Sequence, residues 1–448
     1  MRPLGIGAAY MGGWVMSFRG LKAVLLACSG IGVLLAATAD ANAGGLTVRE
    51  QSAWGQGSSF AGVAAGGSLS SMFWNPATLT QIPGIQSESV LTGIMPYSAN
   101  SPTAGAFLGL GGTGDTAQDA LVPAGYFSYQ LNPNLWLGMS VNSPFGLSVN
   151  FPITWAGSNY AAGSSYLKTY NATPSLAYRI NDMISVGVGV QIQYAKADLS
   201  HCVIAPCIGG APLAELSGHD WGYGFTAGVT LTPTPTTTVG IGYRSGINQK
   251  IDGTLAISSG GSFNVNTTLN LPDTVSVGLR QRLTPQWTGL ATVEWTNWSR
   301  IGTSNVVTTG GTTVATLPFQ YKDGWLFSLG AEYMWSEQLK LRGGVGYEIS
   351  PITDDVRTPL LPDNDRFWLS VGGTYQWSPK MSFDLAYSHL FVKSTPINIS
   401  STSNPWFAGS GGVTYIGDVS SHVDIISVAM KYRWDNPAPA PTSTLYHK

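Results

Sequence analysis

Charged residues are scarce in this chain. Of its 448 residues only 10% are Asp, Glu, Lys or Arg, against roughly 25% in an average soluble domain. A soluble surface with so little charge and so many aromatic side chains exposes apolar patches that promote association, whereas a surface in lipid does not. The 22 basic and 24 acidic residues nearly balance, which argues against nucleic acid as a partner.

Long apolar runs are almost absent too. The single one is Ala23–Ala37, which follows Arg19 and Lys22 and precedes Ala41-Asn42-Ala43. A basic start, a short apolar stretch and an A-x-A site predict a secretory signal peptide, residues 1–43, cleaved after Ala43. The alternative is a single membrane anchor, which needs about 20 apolar residues and a stop-transfer flank.

Cysteine is rare, with three residues in all. Cleavage after Ala43 leaves only Cys202 and Cys207, in the string HCVIAPC. Because exported proteins fold in an oxidising compartment, we expect these two to form a small loop-closing disulfide. A metal pair with the adjacent His201 is the alternative, but the chain has no second cluster of ligands. We predict neither a metal nor a cofactor.

Motifs of catalysis are also missing. The chain has no G-x-S-x-G, no H-E-x-x-H and no P-loop. His219 and Asp220 are neighbours, but adjacent residues of a strand point to opposite faces, so they would not form a relay. We therefore expect no catalytic residues and no enzyme activity.

Alternation of apolar and polar residues is what the chain has in abundance. In Ser185–Tyr194 (SVGVGVQIQY) the valines, Ile192 and Tyr194 share one face, and Ser, Gly and Gln share the other. A period of two indicates β-strands. Only helices and closed barrels can satisfy their backbones in lipid, so the pattern predicts an all-β, transmembrane antiparallel barrel of about 14 strands. A soluble β-sandwich or propeller is the alternative, but no blade-length repeat is present.

The predicted organisation has four parts: the signal peptide, an N-terminal hatch or plug at 44–85, the barrel at 86–434 and a Pro-rich tail at 435–448. Short turns alternate with longer loops along the barrel, which predicts that both ends face the periplasm. The predicted strands lie near 86–97, 121–131, 135–142, 163–179, 184–199, 219–231, 236–257, 262–283, 286–298, 323–335, 338–349, 366–378, 380–394 and 422–434.

The lumen of this barrel is predicted to carry few charges, of mixed sign. Most inward positions are Gly, Ser, Thr, Gln or Asn, and the 44–85 segment is long enough to fill the bore. A plugged and nearly neutral lumen suits an apolar or amphipathic cargo better than ions or sugars. The predicted lumenal charges are Lys196, Asp198, Arg280, Arg282, Glu294, Arg342, Glu348 and Asp384.

Several strings, in order along almost all of 44–434, resemble the FadL-type outer-membrane transporters of long-chain fatty acids and other hydrophobic compounds. The most specific runs from Pro362 to Ser370, PDNDRFWLS. The others are GGLTVREQSAWGQGSSFAG at the predicted mature start, Asn75-Pro76-Ala77, Trp221–Phe225 with Tyr243-Arg244-Ser245, Leu269–Asp273, Pro285–Trp287 and Trp295–Ser299. The chain is identified as a member of this family.

The resemblance implies a fourteen-stranded barrel closed by an N-terminal hatch. It also implies an apolar ligand that leaves sideways through a break in the wall near the third strand, with hatch movement coupled to ligand binding. Asn75, Pro76 and Ala77 match the family's hatch motif, and Leu46 matches an apolar residue that reaches into the pocket. Family members that carry fatty acids place basic side chains near the ligand carboxylate, and this chain has no lysine at the matching position. His201 and Lys322 are therefore the possible head-group contacts.

Three further aromatic residues of the hatch, Phe60, Phe73 and Trp74, are predicted to contact ligand; the alternative is that they only pack the plug. The predicted function is passive uptake of hydrophobic compounds, above all long-chain fatty acids, by a monomer in the bacterial outer membrane whose partners are its ligand and the surrounding lipid. The alternatives are uptake of neutral aromatic hydrocarbons by the same route and a structural or adhesive barrel.

Overall fold

The computed structural model describes residues 45–202, 213–401, 404–409 and 412–436. The predicted signal peptide, Cys207 and most of the predicted tail therefore lie outside the described residues. None of the helices in the described part combines the length and the apolarity needed to cross a membrane.

Strands dominate the structure. In chain order they are β1 (Ile85–Gly105), β2 (Ala120–Asn132), β3 (Leu135–Asn142), β4 (Gly146–Phe151), β5 (Gly163–Arg179), β6 (Ile184–Cys202), β7 (Leu213–Thr234), β8 (Thr237–Arg244), β9 (Asn248–Ile257), β10 (Ser262–Asn270), β11 (Thr274–Arg282), β12 (Trp287–Thr296), β13 (Thr303–Thr308), β14 (Thr313–Pro318), β15 (Gly324–Met334), β16 (Leu339–Ile349), β17 (Arg366–Ser378), β18 (Met381–Val392), β19 (Thr395–Ile399) and β20 (Tyr415–Arg433). The helices are short: α1 (Ala53–Gln56), α2 (Trp406–Gly409) and 3₁₀ turns at Val63–Ala65, Leu69–Phe73, Pro76–Gln81, Leu108–Leu110 and Trp298–Ile301.

The strands form one closed antiparallel ring. The last strand, β20, pairs with β18 on one side and with β1 on the other. Six pairs of consecutive strands (β3/β4, β8/β9, β10/β11, β12/β13, β14/β15 and β18/β19) each occupy one position in the wall. The ring therefore has 14 positions, which confirms the predicted fold class.

The alternation of β6 shows how the sequence builds the wall. Val186, Val188 and Val190 are exposed on the outer surface, while Ser185 and Gly187 are buried inside. The outer face meets lipid and needs apolar side chains, whereas the inner face meets other parts of the chain.

One detail of the predicted lumen is wrong. Lys196 and Asp198 lie on the same face of β6 as Val186, Val188 and Val190, so they point outward. The pairing of β6 with β7 runs without a bulge from Ile184 to Cys202. Because side chains alternate strictly along an unbroken strand, both charges follow the apolar row beyond its outer end.

The N-terminal segment, residues 45–84, is almost completely buried and packs against the inner face of the strands. Its backbone touches the wall where the wall has glycine: a Cβ at Gly187 or Gly242 would overlap the backbone of Ala77 or Trp74. Small inner residues are therefore required for the close approach of the two backbones.

Buried ion pairs and hydrogen bonds join the N-terminal segment to the wall. Arg49 contacts the carboxylates of Glu294 on β12 and Glu348 on β16. Trp54 Nε1 donates to Glu332 Oε1 on β15 at 3.0 Å. These contacts give the buried charged and polar groups of the lumen their ion-pair and hydrogen-bond partners.

A first prediction concerns the lumen. Deleting residues 45–84 should convert the barrel into an ion-conducting pore, because those residues are buried against the inner face of the strands. Single-channel recordings in planar bilayers would compare the deletion with the full chain, after a gel-shift assay has shown that both fold. A folded deletion variant that conducts no better than the full chain would contradict this prediction.

Candidate ligand cavity and wall break

An apolar cavity lies at one end of the lumen, where the N-terminal segment begins. The cavity and the open space at its mouth together enclose about 820 Å³. No charged side chain is among its described lining residues, which include Leu46, Leu147, Leu167, Phe319, Tyr321 and Trp406. Such a site can bury the aliphatic or aromatic body of a small molecule.

The wall is interrupted beside this cavity. Strand β3 ends at Asn142 and β4 begins at Gly146. Strand β2 pairs with β3 only from Gly125 onward, so among the described strands residues 120–124 have β1 on one side and no partner on the other. Pro123, which has no N–H to donate, lies in this stretch, as expected for a strand edge.

The N-terminal segment fills the interruption with its backbone. Val48 N donates to Pro144 O, and Gly146 N donates to Leu46 O, each at 2.9 Å. Leu46, which lines the apolar cavity, therefore also helps to close the wall.

Side chains satisfy the remaining backbone groups of the break. Gln51 Nε2 donates to Ser143 O at 2.9 Å, and Gln51 Oε1 accepts from Ser143 N at 3.3 Å. Thr169 Oγ1 accepts from Phe145 N at 2.9 Å and donates to Phe145 O at 2.7 Å. All backbone polar groups of residues 143–145 are thus paired, as a wall in lipid requires.

Thr47, Val48 and Arg49 line a second cavity, which encloses about 570 Å³ together with the open space at its mouth. Pro144 and Phe145 of the break form part of its lining. Unlike the first cavity it has polar walls, which include Arg49, Gln191, Arg244, Ser245 and Glu294. Leu46 lines the first cavity, and the three residues that follow it line the second.

The Asn75-Pro76-Ala77 motif begins the 3₁₀ turn at Pro76–Gln81. Asn75 Oδ1 accepts from Ala77 N at 3.0 Å, and Pro76 occupies the first helical position, as helix starts favour. Asn75 Nδ2 donates to Ala64 O at 2.7 Å and to Val229 O of β7 at 2.9 Å. The motif therefore fixes the N-terminal segment to the wall.

Of the residues predicted to contact ligand, only Leu46 lines the apolar cavity. Phe73 and Trp74 line the second cavity. Phe60 lines neither; its ring packs 5.7 Å from Trp368 and 5.8 Å from Trp74. Phe60 therefore packs against aromatic residues inside the lumen.

Neither predicted head-group residue is among the described residues that line these two cavities. His201 is exposed at the end of β6, and Lys322 is exposed in the connection between β14 and β15. Cys202 is disulfide-bonded, while its predicted partner Cys207 lies outside the described residues. The described part contains no cluster of three potential metal ligands.

Sequence reasoning assigned no role to Arg244 or Gln51. Arg244 belongs to Tyr243-Arg244-Ser245, one of the strings that resemble the family, but that string does not show that its side chain lines a cavity. Gln51 lies in a segment without periodicity, so only the structure brings it to the break. An inward-facing arginine in a nearly neutral lumen was the one signal that could have pointed to Arg244.

Glu50 is buried in the N-terminal segment, and neither of its carboxylate oxygens has a hydrogen-bond partner among the described residues. Burial raises the pKa of Glu50 from 4.5 to about 7, against the smaller opposing effects of its backbone N–H and of Arg49. Glu50 therefore stays protonated to a higher pH in the folded protein than in the unfolded chain.

Comparison with known proteins identifies relatives of this whole architecture. A family model described as "Outer membrane protein transport protein (OMPP1/FadL/TodX)" matches residues 34–434. The long-chain fatty acid transport protein of Salmonella typhi is 30% identical over 332 residues, which cover 66% of this chain and 76% of that protein.

Solved structures share the fold. A FadL homologue of Pseudomonas aeruginosa superposes with a TM-score of 0.80 at 23% identity, covering 87% of this chain and 100% of the homologue. The toluene transporter TodX of Pseudomonas putida superposes with a TM-score of 0.65 at 16% identity, covering 88% and 100%.

A second prediction follows from Glu50. Its pKa is higher in the folded protein than in the unfolded chain, so its destabilising effect is absent below about pH 4.5, grows between about pH 4.5 and 7 and is constant above that. Each pKa unit corresponds to about 1.4 kcal/mol, so the loss is at most a few kcal/mol. Glu50→Gln should remove this part of the pH dependence.

Thermal unfolding in detergent at pH 5 and pH 8 measures the effect. The difference in midpoint between the two pH values should be smaller for Glu50→Gln than for the unchanged protein. Glu337→Gln, in the exposed turn after β15, is the control and should leave the difference unaltered. Equal pH dependence in all three proteins would show that Glu50 does not titrate in this range.

Proposed function

Because the chain belongs to the outer membrane protein transport family of FadL and TodX, we propose that it takes up long-chain fatty acids by passive lateral diffusion through its wall. The family consists of outer-membrane channels for hydrophobic compounds, not of enzymes, and transport of such compounds is the function of this chain. The fatty acid and the lateral route are the proposal.

One observation carries the proposal. The stretch Leu46–Val48 contributes to the apolar cavity and also pairs with the break in the wall. A ligand that displaces Leu46 from the cavity therefore removes the backbone partners of Pro144 and Gly146 at the same time. Ligand binding and opening of the wall become one event.

The N-terminal segment acts as the hatch in this proposal. Asn75, Pro76 and Ala77 keep its later part anchored to β7, and Arg49 anchors its middle to β12 and β16. For the wall to open, residues 45–48 move and the side chain of Gln51 releases Ser143. The barrel then works as a monomer, because each ring contains its own cavity, hatch and break.

The name of the Salmonella relative supports fatty acids as the cargo. A neutral aromatic hydrocarbon is the second candidate, since no charged side chain is among the described residues that line the apolar cavity. The likeness to a toluene transporter concerns the fold and does not decide between them.

A third prediction tests the lateral route. Thr47 and Phe145 form an isolated antiparallel bridge, close enough for a disulfide. In the double variant Thr47→Cys/Phe145→Cys, oxidation should lock the segment into the break and reduce uptake at least about tenfold, and reduction should restore it.

The matched control is Val239→Cys/Leu279→Cys, which links two residues directly opposite each other on β8 and β11. These strands stay paired during transport, so that cross-link should leave uptake unchanged. The unaltered protein, tested with and without reductant, shows whether reduction of the native Cys202 disulfide itself changes uptake. Full uptake through the locked Thr47/Phe145 variant would contradict exit through this break.

A fourth experiment identifies the cargo. Labelled oleate and labelled toluene would be offered to a Gram-negative host that lacks its own channels for such compounds and expresses this chain. We expect uptake of oleate above the level of the empty host. Uptake of toluene alone would favour the second candidate, and uptake of neither by a folded barrel would leave a structural or adhesive role.

A further inference from the structure

Arg244, the last residue of β8, lies inside the barrel and lines the second cavity. Its side chain is only 9% exposed. Nη2 donates to Asn171 Oδ1 at 2.9 Å, and the guanidinium carbon lies 4.4 Å from the centroid of the Phe73 ring. These contacts orient the guanidinium group but supply no negative charge.

The other buried arginines of the described residues all have a carboxylate partner. Arg49 pairs with Glu294 and Glu348, and the remaining three pair with acidic side chains on their own or neighbouring elements: Arg342 with Asp384, Arg357 with Asp354, and Arg366 with Asp363. Arg244 has no ion-pair partner among the described residues. A buried charge without a counter-ion is costly, so its retention points to a negative group that is not part of the protein.

The second cavity can receive such a group. Glu294 also lines it, but Arg49 and the hydroxyl group of Ser276 occupy that carboxylate. The guanidinium of Arg244 is therefore available to an incoming anion. A guanidinium group presents parallel N–H donors that match the two oxygens of a carboxylate.

The position of the cavity relates Arg244 to the transport route. Leu46 lines the apolar cavity and the next three residues line the second cavity, whose lining also includes Pro144 and Phe145 of the break. In the proposed opening, movement of residues 45–48 connects the two cavities with each other and with the break. A long apolar chain can then occupy the apolar cavity while its charged end lies at Arg244.

We propose that Arg244, supported by Asn171, binds the carboxylate of the cargo in a second subsite between the apolar cavity and the wall break, and that this contact selects anionic long-chain amphiphiles over neutral hydrocarbons. This inference rests on the proposed uptake function and names its substrate class. It replaces His201 and Lys322 as the head-group contact with a residue inside the barrel.

The test compares oleate with oleyl alcohol, which has the same chain and no charge. Arg244→Met removes the charge and keeps an unbranched side chain, and Arg244→Lys keeps the charge without the fork of donors. Arg282→Met, at an exposed arginine in the same barrel, is the matched control. Initial uptake in the channel-free host and equilibrium binding to purified protein would both be measured, after a gel-shift assay of folding.

We expect Arg244→Met to lower both binding and uptake of oleate at least about tenfold, because hydrogen bonds to charged groups have that effect. Binding and uptake of oleyl alcohol by Arg244→Met should change less than about twofold. Arg244→Lys should recover part of the lost binding and uptake of oleate. Arg282→Met should behave like the unaltered protein.

Two results would overturn the role of Arg244: unchanged handling of oleate by Arg244→Met, or an equal loss of oleate and oleyl alcohol, which would indicate a structural residue. A failure of the proposed function itself is distinguishable from both, since the unaltered protein would then take up neither compound.

Discussion

The need of backbone N–H and C=O groups in the wall for hydrogen-bond partners governs this structure, because lipid supplies none. The ring meets it by pairing β20 with β1. At residues 143–146 the regular pairing stops, and the N-terminal segment supplies the missing partners through Leu46, Val48 and Gln51. The segment is therefore part of the wall at that point as well as the filling of the lumen.

Because of that double role, the two parts of the N-terminal segment are attached to the wall with different strengths. From Arg49 onward it is held by buried ion pairs, by the Trp54–Glu332 hydrogen bond and by the cap at Asn75. Residues 45–48 carry no charged side chain and form no ion pair; hydrogen bonds of about 1 kcal/mol each and the burial of Leu46 and Val48 hold them. The lack of ion pairs in this stretch fits the proposed movement of its residues while the rest of the segment stays in place.

Much of the barrel could be predicted from the sequence, since alternation as in β6 directly reports which face meets lipid. The predicted strand at 236–257 is broken into β8 and β9, and the hairpin of β13 and β14 lies in a predicted loop. Such breaks depend on which neighbours pair across the ring, and this information is not local. The outward direction of Lys196 and Asp198 did follow from local alternation, and the sequence-based assignment missed it.

The candidate site was less accessible from sequence. The Asn75 motif was recognised, and its cap follows from ordinary helix-start chemistry. Leu46 was also recognised, but its hydrogen bond to the break was not. His201 and Lys322 were chosen because the family resemblance places basic head-group contacts at or near their positions, and the structure leaves both exposed.

By itself the sequence determined the solvent of this protein, the antiparallel barrel and its number of wall positions, because periodicity and turn chemistry act over a few residues. Only the tertiary structure decided where the wall is interrupted, which residues close it and that Arg244 is buried without a carboxylate. Those features depend on contacts between residues about a hundred or more positions apart, such as Leu46 with Gly146 and Arg49 with Glu294. No local pattern in the chain encodes them.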